Sequence, residues 1–157
     1  MTQIAEITLK QLPERKMLAI RRTIDFFGEY AEFMGETIKE LMKQIQQAGL
    51  LPASGPIVCF HNVDLSALDL EIGFEISAPI SAKGEAVFAV LPVQTVAVTI
   101  DRGPYEAQDP TLEALMSWIT EQDFITTGGI YYHYLNDESQ PPNEYLTEMY
   151  IPLKVRS

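Results

Sequence analysis

At 157 residues and a net charge of −11, from 22 acidic against 11 basic side chains, the chain has the size of one compact domain or two small fused units. Its field repels phosphate backbones and anionic membrane surfaces, which argues against nucleic acid as a direct partner. The 46% hydrophobic and 21% charged content is that of an ordinary folded domain and excludes disorder.

In chain order, Met1–Glu6 has neither a basic nor an apolar leader region, so no signal peptide is visible and a cytoplasmic location is expected. Met17–Ile20 is a short β-rich run. A helix is predicted from about Phe27 to Ala48, with Tyr30, Met34, Ile38, Leu41, Ile45 and Ala48 in one apolar stripe, a solvated face of Glu36, Lys39, Glu40 and Lys43, and Gly49 as its stop. Strands are predicted over 57–62, 68–76, 85–91 and 96–100, separated by loops at 52–56 and 77–84. The apolar stretch Ala86–Ile100 is too short and too polar to span a bilayer. A second helix opens with Asp109 as N-cap and Pro110 in the first helical position, carries the stripe Leu112, Leu115, Met116 and Ile119, and ends near Gln122. Strands follow over 130–136 and 145–153, with a loop over 136–143 between them. Two helices among strands of this kind read as an α+β fold with an antiparallel sheet.

The same order of strand, strand, helix, strand, strand occurs twice, over residues 4–78 and 84–155 of a single 1–157 domain. Leu12-Pro13 matches Leu91-Pro92 as a hairpin turn, Gly28-Glu29-Tyr30 matches Gly103-Pro104-Tyr105, and Ile38, Leu41, Met42 and Ile45 match Leu112, Leu115, Met116 and Ile119. Asn62 matches Asn136, and Leu70-Glu71-Ile72 matches Thr147-Glu148-Met149. These correspondences predict an internal duplication, with a ligand groove along the pseudo-twofold axis between the halves.

The last strand separates Glu148, Tyr150 and Pro152 from Met149, Ile151 and Leu153 by its period of two, and the second set belongs beneath a helix. Five of the seven tyrosines, Tyr131, Tyr132, Tyr134, Tyr145 and Tyr150, lie within twenty residues of Glu148. A carboxylate among aromatic rings suits a flat apolar or cationic ligand, and burial there would raise its pKa as a general base or acid requires. Trp118 is a candidate wall of the groove, Phe33 a candidate lid residue with Phe26 and Phe27, and Glu71 a second, lower-ranked carboxylate. Cys59 lies in the apolar run Ile57–Phe60 and reads as an inert buried thiol; as the single cysteine it excludes an intrachain disulfide. His61 and His133 have no partner ligand at helical spacing, so no metal site is expected, and without a phosphate loop or nucleophile elbow no cofactor is expected either.

Gly103-Pro104-Tyr105-Glu106, Tyr134-Leu135-Asn136-Asp137 and Leu146-Thr147-Glu148-Met149-Tyr150-Ile151-Pro152-Leu153 resemble the GyrI-like small-molecule-binding domain, which is also the effector-binding domain of AraC-type and MerR-type transcription regulators. The resemblance covers nearly the whole chain. It implies amphipathic, aromatic, often cationic ligands, with Glu148 as the buried carboxylate of the pocket and Tyr105, Tyr132, Tyr134 and Tyr150 among the aromatic residues around it. No helix-turn-helix precedes the first strand, so direct DNA binding is not expected. The leading function is a stand-alone binding protein for such compounds. The alternatives are a hydrolase of cyclopropane-bearing cytotoxins, with Glu148 as general base and Tyr132, Tyr134 or Tyr150 as its helper, and a protein-interaction module of gyrase-inhibitor type; a protein partner or a homodimer is open in each case.

Overall fold

Alternating and helical patterns resolve into nine strands and two α-helices among the described residues, which in this computed structural model are 2–137 and 139–156. Met1, Glu138 and Ser157 lie outside them, so the loop expected over 136–143 is described without Glu138. The elements are β1 (Thr8–Leu12), β2 (Arg15–Ile24), α1 (Phe26–Gln47), β3 (Ile57–Phe60), β4 (Leu68–Glu75), β5 (Val87–Leu91), β6 (Gln94–Arg102), α2 (Asp109–Glu121), β7 (Phe124–Thr126), β8 (Ile130–Tyr134) and β9 (Leu146–Val155). The fold is α+β. Among the described residues no helix is long and apolar enough to cross a membrane.

The chain divides into two compact units, one contiguous over Glu14–Pro92 and one built from Met1–Pro13 with Val93–Ser157. In the contiguous unit the antiparallel strand order is β3-β4-β2-β5. Its helix α1 starts where the Asp25 carboxylate accepts from the Phe27 N–H at 3.2 Å and Glu29 accepts from the Asp25 N–H at 2.8 Å. It stops at Gly49, whose φ of +76° lets the Leu50 and Gly49 N–H groups reach back to the carbonyls of Ile45 and Gln46. The buried stripe of α1 is Phe33, Thr37, Leu41, Gln44 and Ile45. It is rotated from the expected one, in which Tyr30, Met34 and Ile38 took the place of Phe33, Thr37 and Gln44. The reason is polar: the Gln44 amide donates to the Lys83 carbonyl and accepts from the Lys83 N–H, both at 3.0 Å, so its burial leaves no bond unmade.

In the second unit the order is β1-β6-β9-β8, with β7 added to the end of β9. Helix α2 packs Leu115 and Ile119 against Ala97, Met149, Ile151 and Leu153. Asp109 is its first helical residue and Gln108 its N-cap, one position before the expected cap. Buried Asp101 on β6 accepts from the Thr111 hydroxyl at 2.6 Å and from Thr2, which ties the first turn of α2 and the start of the chain to one carboxylate.

Leu12-Pro13 and Leu91-Pro92 are not hairpin turns. β1 pairs with β6 and β5 with β2, so each dipeptide passes the chain from one unit to the other. The local chemistry agrees: two-residue hairpin loops need residues tolerant of positive φ, and Pro13-Glu14 and Pro92-Val93 supply none. By contrast the matched asparagines do the same work twice. Asn62 donates to the Ala67 carbonyl and accepts from the Asp69 N–H, both at 3.0 Å; Asn136 donates to the Glu144 carbonyl at 2.8 Å and accepts from the Leu146 N–H at 2.9 Å. Each closes the loop that launches the following strand, β4 or β9.

Asn136→Asp keeps the acceptor and loses the donor to Glu144. Chemical denaturation should show a loss of about 1 kcal/mol at neutral pH, and an unchanged midpoint would remove this role.

Candidate functional site

Strand β9 is paired on both sides over its first half. Glu148 lies opposite Ile100 of β6 and His133 of β8, and Tyr150 lies opposite Val98 and Tyr131. Because strand side chains alternate, Glu148, Tyr150, His133, Tyr131, Val96 and Val98 share one face, and Met149, Ile151 and Tyr132 share the face beneath α2. Lys10, opposite Val96 on β1, joins the first face with Leu12, which packs with Val96, Val98 and Tyr150.

On that face the Glu148 carboxylate has both oxygens engaged. His133 Nδ1 lies 3.3 Å from Oε1 and Lys10 Nζ lies 3.3 Å from Oε2. The Glu148 side chain keeps 16% of its exposure, against 19% for His133 and 48% for Lys10. It is therefore partly open to solvent. The His133 hydrogen bond, with the Lys10 charge, outweighs partial burial and holds the Glu148 carboxyl below its ordinary value. The upward shift expected for a carboxyl among rings is corrected: the rings do not enclose it, and two nitrogen groups face it. Beside it Tyr131 stacks on Tyr150, centroids 4.8 Å apart and planes 4° from parallel. Tyr150 is buried, and Tyr131 is the partly exposed ring of the pair.

Of the residues predicted from sequence, the structure places Tyr150 with Glu148 on this face and sets several of the others elsewhere. Tyr132 and Trp118 pack into the cluster beneath α2, where Trp118 lies against Phe124 at 6.3 Å. Tyr134, opposite Thr147, turns to the α2 side and packs on Tyr105 at 5.0 Å; Tyr105 in turn stacks on Tyr145 at 4.8 Å. Phe33 is buried in the Glu14–Pro92 unit under the Arg22 guanidinium, 4.8 Å from the ring centroid. Sequence reasoning passed over Lys10, His133 and Tyr131 as site residues. The two on β8 follow from the pairing of His133 with Glu148, which period two alone does not reveal.

Glu71 of the contiguous unit also meets a histidine, at 2.7 Å from His61 Nε2. The two constellations differ in their rings. Gly73 stands two residues after Glu71, where Tyr150 stands after Glu148, and a Cβ on Gly73 would come within 2.9 Å of the Ala19 Cβ and of the Leu18 carbonyl. Ile57 lies opposite Gly73, so this face has no counterpart of the Tyr131–Tyr150 stack. The same unit has a polar cavity of about 580 Å³ whose lining includes Ile20, Arg22, Glu36, Gln44 and Lys83 and none of the predicted site residues. Among the described residues no group of three or more His, Cys, Asp or Glu side chains is placed to hold a metal ion.

The sequence model described as GyrI-like small molecule binding domain matches residues 5–154. No curated protein matches the chain in sequence. Among solved structures, the C-terminal domain of EcmrR superposes with a TM-score of 0.86 at 22% identity, over 97% of this chain and 99% of that one. In an EcmrR–DNA complex the TM-score is 0.84 at 21% identity, over 96% of this chain, which spans only 58% of that EcmrR chain. A hydrolase encoded by lin2189 from Listeria innocua gives 0.68 at 11% identity, over 95% of this chain and 92% of that one. SAV2435 bound to tetraphenylphosphonium gives 0.56 at 16% identity, over 95% and 94%. At these identities the likeness is one of fold.

The lowered carboxyl sets the sign of a pH effect. What Glu148 adds to stability is complete above its ordinary value of 4.5 and is lost as pH falls through the lower value of the folded chain. Denaturation of wild type and Glu148→Gln should differ by about 1 kcal/mol near neutrality and converge as pH falls well below that ordinary value. A difference that stays constant over that range would contradict the ionised pair.

Proposed function

The chain belongs to the GyrI-like small-molecule-binding domain family, and from that membership we propose that it binds small, amphipathic, aromatic cations on the Glu148 face of β9. The observation that carries this reading is the position of an ionised, partly open carboxylate beside the Tyr131–Tyr150 stack on the same sheet face. The carboxylate is the counter-charge. The partly exposed Tyr131 ring supplies stacking and cation–π attraction, which is strongest where water is partly excluded. The acidic balance of the whole chain attracts cations toward that face and adds to the rate of encounter more than to affinity. The ligand reported with SAV2435, a phosphonium carrying four phenyl rings, has this chemistry and serves as the first probe.

The hydrolytic alternative has less support. Of its candidate helpers, Tyr132 and Tyr134 lie on the other side of the sheet and Tyr150, on the Glu148 face, is buried against Tyr131; a carboxyl held below its ordinary value is also a weak base. The internal duplication gains support from the matched loop bonds of Asn62 and Asn136.

Calorimetric titration with tetraphenylphosphonium should give saturable binding, and neutral triphenylphosphine oxide should bind more weakly. Glu148→Gln should weaken the cation about tenfold and leave the neutral compound nearly unchanged, and Tyr131→Ala should weaken both. Equal affinity of wild type and Glu148→Gln for the cation would overturn the assignment of the counter-charge.

A further inference from the structure

We propose that Lys10 is a tethered competitor for the cation subsite: its ammonium occupies the Glu148 oxygen that a ligand cation needs, and it sets which cations are admitted. The inference rests on the binding reading above. The two partners of the carboxylate are unlike. His133 is directly opposite Glu148 on the adjacent strand, is mostly buried and holds Oε1. Lys10 reaches Oε2 from β1, which among the described residues lies at the end of the strand order beside β6, and its side chain is 48% exposed. Among the described residues these are the two ion-pair partners of Glu148. One is built in and the other can swing away, because an ion pair this exposed is weak and the lysine stem has several rotatable bonds.

A partly buried carboxylate left without a positive partner is costly, so the ligand-free site needs some cation. Lys10 supplies it from the same chain. As an intramolecular partner it acts at a high effective concentration, which small hydrated cations cannot match by charge alone. An aromatic cation brings a second source of affinity, the Tyr131 ring, and can displace the ammonium into water, where lysine is well solvated. Lys10 is thus a specificity-determining residue. It discriminates against cations without rings while lowering the affinity of those that carry them.

The experiment compares wild type, Lys10→Gln, Lys10→Arg and Glu148→Gln, titrated with tetraphenylphosphonium and with tetramethylammonium, after melting curves confirm that all four are folded. Lys10→Gln should bind tetraphenylphosphonium about threefold to fivefold more tightly than wild type. It should also gain measurable tetramethylammonium binding, while Lys10→Arg stays close to wild type. Wild type that fails to bind tetraphenylphosphonium beside a Lys10→Gln variant that binds it would support the proposal in its strongest form. If wild type binds, Glu148→Gln weakens that binding and Lys10→Gln leaves it unchanged or weaker, the competitor role is overturned and the binding site stands. If neither wild type nor Lys10→Gln binds, the binding reading fails for this ligand class and the proposal falls with it.

Discussion

Glu148 lies between two antiparallel neighbours, Ile100 of β6 and His133 of β8, and this double pairing decides which side chains can meet at all. A slip of one residue would send Glu148 beneath α2, where Met149 now sits, and bring Met149 and Ile151 to the opposite face. The slip is blocked from the α2 side, because Met149, Ile151 and Leu153 are the floor on which Leu115 and Ile119 rest. Hydrophobic burial on one face therefore holds a charged constellation in place on the other. The polar network at the head of α2 adds to this: Gln108 donates to the Thr147 hydroxyl at 2.9 Å, one residue before Glu148.

β4 and β9 show how similar strand pairings yield two different surfaces. Both put a glutamate in reach of a histidine. Around Glu71 the opposed strand comes so close that only glycine fits at position 73, and the Arg21–Asp69 ion pair, at 2.8 and 2.7 Å, occupies the same face. Around Glu148 that space is filled by two parallel tyrosine rings. Family membership covers nearly the whole chain; the two faces differ in the rings beside their glutamates.

Much of this was legible in the sequence where one strong pattern ruled. The alternation of β9 is present as read and the matched asparagines do make matching bonds, while the α2 stripe holds at Leu115 and Ile119 but buries Thr111 and leaves Met116 exposed. The rest depended on pairings between distant residues. Lys10 reaches Glu148 across 138 positions, from a strand whose residues Thr8–Gln11 are all exposed and carry no hydrophobic alternation to announce it. Counting tyrosines near Glu148 along the chain mixed both faces of β8, so Tyr132 and Tyr134 were grouped with it while Tyr131 was passed over as a site residue. On α1 a hydrophobic stripe cannot reveal that Gln44 is buried, since its amide is satisfied by the Lys83 backbone 39 positions away.

The passage of the chain through Pro13 and Pro92 has a consequence for assembly. The Glu14–Pro92 unit is an insertion within the other one, and its own ends are neighbours, since Arg15 lies opposite Leu91. Once that unit folds, the chain leaves it at nearly the point where it entered. Pairing Leu12 with Gln94 then requires closing a gap of a few residues and not a loose loop of about eighty, so most of the closure entropy has already been met. The folding of a part of the protein to which it does not itself belong thus lowers the closure cost for the strand that carries Lys10.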